Sequence, residues 1–202
     1  MATYSEIQWT VPQWQASSGS DSMAVWTGLG LGYSASDELV QAGANIYGGR
    51  AFFVFELYPL EEGMQVSLNI KPGDVLQVLV SMDTVVNKAT FSFYNVTQNT
   101  FQQVDRSLGS DGFIGSTAEW VVERPQILDP YTNQPINATM PAFDSVAITD
   151  ANYSVAGQTD TTAARADQVY IMVSDDGTQD LAVPGPLNDG SFTVKQTGTG
   201  SS

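Results

Sequence analysis

Apolar residues recur at every second position through much of this chain, and that period restricts it to sheet. Met64, Val66, Leu68 and Ile70 alternate with Gln65, Ser67 and Asn69, the pattern of a half-buried antiparallel strand. Lys71-Pro72-Gly73-Asp74 reads as a turn, because Pro pre-sets φ and Gly accepts a positive φ. Val75 to Met82 then returns as the next strand. Ala89 to Tyr94 alternates again, with Phe91 and Phe93 on one face, and Phe101 to Val104 follows a polar turn. Ala51 to Tyr58 is a near-continuous aromatic run, as expected of a strand buried on both faces. Further strands are expected at Tyr4 to Val11, Met23 to Leu29, Leu39 to Ile46, Thr117 to Glu123, Ser145 to Thr149 and Gln168 to Ser174. The last of these reads as an edge strand added to the sheet.

No segment carries a helical stripe with caps. Short strands between Gly, Pro and Asn turns predict an all-β sandwich or barrel. A single domain is expected over residues 1–195, with 125–141 as a loop and the Gly/Ser/Thr-rich 196–202 as a flexible tail. A hydrophobic content of 42% supports a packed core.

Charge narrows the partners. With 22 acidic against 7 basic side chains the net charge is −15. Such a surface repels phosphates and anionic bilayers, so neither nucleic acid nor membrane is an expected partner. In acid those carboxylates lose their charge and the self-repulsion relaxes, which suits an acidic medium as well as it suits general solubility. The chain has neither Cys nor His. Thiol nucleophiles, Ser-His-Asp triads and His- or Cys-ligated zinc are therefore excluded, and no metal or cofactor is expected. The Met-Ala-Thr start has no basic or apolar leader pattern. A secreted, extracellular setting is nevertheless expected, with any leader outside this stretch, and the protein is expected to be a monomer.

Carboxylates and amides are then the remaining catalytic tools. In Ala118-Glu119-Trp120-Val121-Val122-Glu123, alternation puts Glu119, Val121 and Glu123 on one face and Trp120 and Val122 on the other. Acidic residues in an apolar strand either line a cleft or mark an edge with one wet face.

Four segments in sequence order resemble those of the glutamic peptidases (eqolisins): Trp26-Thr27-Gly28-Leu29-Gly30, Val40-Gln41-Ala42-Gly43, Phe55-Glu56-Leu57-Tyr58-Pro59 and Ala118 to Glu123. Trp9-Thr10-Val11-Pro12 and Ile70 to Val75 are similar to two further family segments, so the resemblance covers about residues 4–152. It implies a concanavalin A-like, two-sheet antiparallel β-sandwich and an endopeptidase that cleaves polypeptides in acid. By motif, Gln41 matches the catalytic glutamine and Glu119 the catalytic glutamate. Trp26, Glu56, Tyr58 and Glu123 match substrate-binding or supporting positions. Four residues depart from the family pattern: Gly30 stands where Asp is usual, Leu31 replaces the next Gly, Thr27 replaces an apolar residue and Leu57 an aromatic one. The chemistry is self-consistent. A carboxylate can take a proton from water and return it to the leaving amine, an amide can hydrogen-bond the oxyanion, and carboxyls titrate in the acid range.

Two other readings fit the same residues. A non-enzymatic sandwich that binds carbohydrate or peptide would keep the groove, with Trp14, Trp26 and Tyr58 as platforms. A β-glucanase would use Glu119 and Glu123, but retaining glycosidases hold their carboxyls about 5–5.5 Å apart, whereas positions i and i+4 of a strand lie about 13 Å apart along the backbone. Asp175 to Asp180 reads as a solvated turn rather than a calcium loop, since it lacks the ligand spacing and closing Glu.

Overall fold

The computed structural model describes residues 2–16, 18–30, 38–109, 113, 115–129, 131–155, 161–162, 166 and 168–200. Two antiparallel sheets pack face to face. The smaller has five strands in the order β5 (Glu61–Val66), β4 (Arg50–Tyr58), β3 (Leu39–Tyr47), β2 (Ser22–Gly30) and β9 (Thr117–Glu123). The larger has nine and runs β14 (Met172–Val173), β15 (Asp180–Pro184), β16 (Phe192–Gln196), β12 (Ser145–Val155), β1 (Ala2–Thr10), β6 (Val75–Asp83), β7 (Lys88–Asn95) and β8 (Thr100–Ser107), with β13 (Thr161–Thr162) beside β12. No helix occurs among the described residues, and the expected all-β sandwich is the observed fold.

The core is the alternation made physical. Phe53 and Phe55 of β4 meet Phe91 and Phe93 of β7, with ring centroids 4.9–6.5 Å apart. Ile7, Phe53, Leu76, Val78, Val80, Phe91 and Phe93 are fully buried. Each such side chain contributes about 1.5–3 kcal/mol relative to exposure. At one end of the sandwich Arg106 donates to Glu61 at 2.7 Å and lies 4.8 Å over the Phe55 ring.

Several expected elements differ. The aromatic run in β4 is not buried on both faces: Phe53, Phe55 and Leu57 are in the core, while Phe52, Val54 and Glu56 are half-buried on the opposite side. The strand read from Met64 to Ile70 ends at Val66, and it pairs with β4 rather than with Val75 to Met82. Residues 67–74 instead carry the chain from one sheet to the other, which alternating apolar residues do not reveal. Their turn is as expected, with Gly73 at φ +86 and the Asp74 amide donating to the Lys71 carbonyl at 3.1 Å. The loop 125–141 contains a small hairpin, β10 (Gln126–Leu128) with β11 (Pro135–Asn137). Of Gln168 to Ser174 only Met172–Val173 is strand, and it does lie at the sheet edge. Within 196–202, Gln196 ends β16, and the Thr197 and Gly198 amides both donate to the Leu181 carbonyl.

Candidate active site

The concave face of the five-stranded sheet is built by subtraction. Core packing claims Met23, Val25, Thr27 and Leu29 of β2, Val40, Ala42, Ala44 and Ile46 of β3, and Phe53, Phe55 and Leu57 of β4. Every intervening residue therefore points the other way. Strand register lines these outward residues up in rows. One row reads Glu56, Gln41, Gly28, Glu119 across β4, β3, β2 and β9. The next reads Val54, Gly43, Trp26, Val121, and the one beyond it Phe52, Asn45, Ala24, Glu123. On the opposite side of the first row lie Tyr58, Leu39, Gly30 and Thr117.

Gln41 and Glu119 are thus both register partners of Gly28, one on each side. Two strand spacings put their α-carbons about 10 Å apart, and the residue between them has no side chain. A Cβ on Gly28 would stand 3.1 Å from Leu39 Cδ1, 3.1 Å from the Trp26 ring and 3.2 Å from Gln41 Cβ, so these side chains pack closely over the glycine.

The amide of Gln41 donates through Nε2 to Glu56 Oε2. Its other end is unusual: Gln41 Oε1 is buried with no hydrogen-bond partner. Glu119 is held differently. Its Oε1 accepts from Thr117 Oγ1 at 2.8 Å, while its main-chain carbonyl accepts from Thr27 Oγ1 at 2.9 Å.

Gln41, Glu56, Trp26 and Glu123 line one groove of ≈ 550 Å³ together with Asn45, Val54 and Gln65. Glu119 is not among the residues that line this groove but shares the row of Gln41 and Glu56, and Tyr58, 43% exposed, stands in the adjacent row with Leu39, Gly30 and Thr117. The six residues expected at the site therefore share one face of one sheet. Glu119 and Glu123 do not converge: the first is tied to Thr117, and the second accepts from Trp26 Nε1 at 2.7 Å two rows away. This removes the carboxyl pair that a glycosidase reading requires.

A family-level sequence comparison matches residues 3–196 to the peptidase A4 family. The chain belongs to that family. Its sandwich is also that of three solved glutamic peptidase structures. Scytalido-glutamic peptidase with a transition state analog inhibitor aligns with a TM-score of 0.82 at 20% identity, over 97% of this chain and 93% of that one. The same enzyme with a peptide based transition state analog gives 0.83 at 18%, over 97% and 93%. SCP-B, an eqolisin in complex with the tripeptide Ala-Ile-His, gives 0.78 at 17%, over 97% and 92%. Comparison with curated protein sequences gives no match. The chain is thus a peptidase of the glutamic type, and polypeptides are its substrate class.

In this A4 peptidase the electrostatics of the groove centre on Glu123. Burial pushes its carboxyl above the ordinary range, the Trp26 N–H partly opposes that, and the charge on Glu56 adds to it. A carboxyl raised on folding is most stabilising when protonated. Its contribution is complete below the unfolded value of about 4.3 and is lost as pH rises through the folded value. Glu123→Gln keeps an acceptor for Trp26 and removes this dependence. The melting temperature at pH 3 relative to that at pH 7 is expected to be lower in the variant than in the parent, and an unchanged relation would contradict the assignment.

A second cleft of ≈ 380 Å³ opens on the far side of β9, between Trp120, Val122, Tyr170, Ile171 and Phe192, and meets the groove at Glu123. It lies where the smaller sheet stops and the larger continues. Asp175 accepts from Arg124 and Asn137 beside it, and Asp176 caps its own turn through Ser174 and Thr178. This accords with the solvated turn expected there.

The sequence did not single out Thr117, or the buried hydroxyl relay behind Glu119. Ser5 and Thr27 lie 2.5 Å apart in the core. Because the Thr27 proton goes to the Glu119 carbonyl, Ser5 must donate to Thr27. Thr27→Val strands both partners and is expected to cost about 1–3 kcal/mol. Ser5→Ala combined with it removes one stranded group, so a urea double-mutant cycle should show the double variant less destabilised than the sum of the singles. Strict additivity would deny the relay.

Proposed function

We propose that this peptidase is an acid-acting endopeptidase in which Glu119 is the general base and then the general acid, and Gln41 orients water and stabilises the oxyanion. What carries the reading is the shared register of Gln41 and Glu119 on either side of Gly28 on one face of the sheet. An extended polypeptide lying in the groove brings its scissile carbonyl over Gly28. Glu119 takes a proton from water, the water oxygen attacks the carbonyl carbon, and the π electrons pass to the carbonyl oxygen. One N–H of Gln41 is engaged by Glu56, which leaves the second for that oxyanion. The same amide orients the water before attack. As the C–N bond breaks, Glu119 returns the proton to the amine nitrogen.

The remaining residues take supporting parts in this scheme. Glu56 holds Gln41, Trp26 and Glu123 line the substrate path, and Tyr58 stands at its rim. No step needs a group other than carboxyl, amide and water. The acidic balance of the chain, 22 against 7, fits a secreted enzyme working as a monomer in an acidic medium. The test is cleavage of a denatured protein between pH 2 and pH 5, abolished in Glu119→Gln. A folded parent chain that cleaves nothing in that range overturns the proposal.

A further inference from the structure

Glu119 is held by an arrangement that leaves one of its carboxylate oxygens fixed. Thr117 and Glu119 stand two residues apart on β9, hence on the same face, and Thr117 Oγ1 donates to Oε1 at 2.8 Å. Both groups lie over Gly30, the register partner of Thr117. A Cβ built on Gly30 would stand 3.2 Å from Glu119 Oε1, 3.3 Å from Thr117 Oγ1 and 3.4 Å from Leu39 Cδ1. The volume that a side chain at position 30 would fill is therefore taken by the hydroxyl–carboxylate contact itself.

We propose that Thr117 is a positioning residue for Glu119, and that Gly30 is small in order to admit the Thr117–Glu119 hydrogen bond. Two hydrogen bonds support this, one on the carboxylate and one on the main chain of Glu119. The Thr117 hydroxyl has a single proton, and it goes to Oε1, so Oε2 keeps its lone pairs for a water. The carboxyl cannot swing away along β9 without losing this contact. The main chain of Glu119 is pinned from the core side by Thr27, so backbone and carboxylate are both fixed, from opposite faces of the sheet. A general base acts only within hydrogen-bond reach of the proton it removes, and small misplacements cost rate rather than affinity. Gly30 and Thr117 thus form one unit: the absence of a side chain on β2 lets a hydroxyl on β9 orient the base.

This inference rests on Glu119 being the base, and the test separates the two. Initial rates of peptide cleavage in acid give kcat and KM for the parent, Thr117→Val, Thr117→Ser, Gly30→Ala and Glu119→Gln. Valine matches threonine in shape and suits a strand, so Thr117→Val keeps the fold. Its kcat is expected to fall about 10- to 100-fold with KM within about twofold, and Thr117→Ser, which retains the hydroxyl, is expected to recover most of it. Gly30→Ala pushes a methyl into the contact and should lower kcat in the same sense. A Thr117→Val enzyme with parental kcat, a loss confined to KM, or serine performing no better than valine overturns the inference even where Glu119→Gln is inactive. A Glu119→Gln enzyme that still cleaves overturns the catalytic reading beneath it.

Discussion

Glu119→Gln is expected to lower kcat about 1,000-fold or more, because general acid–base catalysis contributes about 10²–10⁴-fold and this residue serves in both directions. That is about 4 kcal/mol of transition-state stabilisation. The substitution is suited to the question. Glutamine keeps the shape and can still accept from Thr117, and the strand is anchored by Trp120, whose Nε1 donates to the Glu6 carbonyl at 2.7 Å. The melting temperature should therefore stay close to that of the parent, and KM should change little. Retained turnover in a folded Glu119→Gln protein would move the chemistry to another carboxyl of the groove, Glu56 or Glu123.

The largest structural effect is expected at Gly43. A Cβ there would meet the Val25 carbonyl oxygen at 2.1 Å and Trp26 Cβ and Cα at 2.5 and 2.6 Å. Two of these atoms are main chain, so no side-chain rotation relieves the contact. Gly43→Ala must push β3 away from β2 between Gln41 and Asn45, at an expected cost of about 3 kcal/mol or more. For a chain of this length that corresponds to a fall in melting temperature of about 6–12 °C. Turnover should fall with it, since Gln41 and Trp26 stand on the two strands being parted. Gly63 is the control: nothing lies within 4 Å of a Cβ there, so Gly63→Ala should stay within about 0.5 kcal/mol of the parent. Equal stability of the two variants would mean that β2 and β3 do not approach as described.

Much of this molecule follows from local pattern. The period of two was enough for an all-β fold, because apolar residues at alternate positions can be buried only by packing a sheet face. The same rule separated Glu119 and Glu123 from Trp120 and Val122, and it assigned Phe91 and Phe93 to one buried face. The lack of Cys and His, a property of composition alone, reduced the chemistry to carboxyls and amides. The motifs around Gln41 and Glu119 were recognisable because each occupies one strand, where neighbours in sequence are neighbours in space.

What escaped the sequence depends on which strand lies beside which. Periodicity assigns a face but not a partner, so residues 64–70 read as one strand returning into Val75 to Met82, although the chain there changes sheets. The aromatic run in β4 read as buried on both faces because apolar composition does not distinguish a core from a groove wall. Thr117 is two residues from Glu119, and strand spacing alone puts them on one face; that its hydroxyl meets the carboxylate over Gly30 depends on β2 lying alongside. The Ser5–Thr27–Glu119 relay joins three strands from two sheets. The sequence by itself determined that the chain is all-β with carboxyls and amides as its reactive groups, because those properties are local or compositional. Only the tertiary structure decided that Gln41 and Glu119 flank Gly28 in one row, and that Gly30 admits Thr117 to the base. Register between strands is set by the packing of the whole core, and no single segment encodes it.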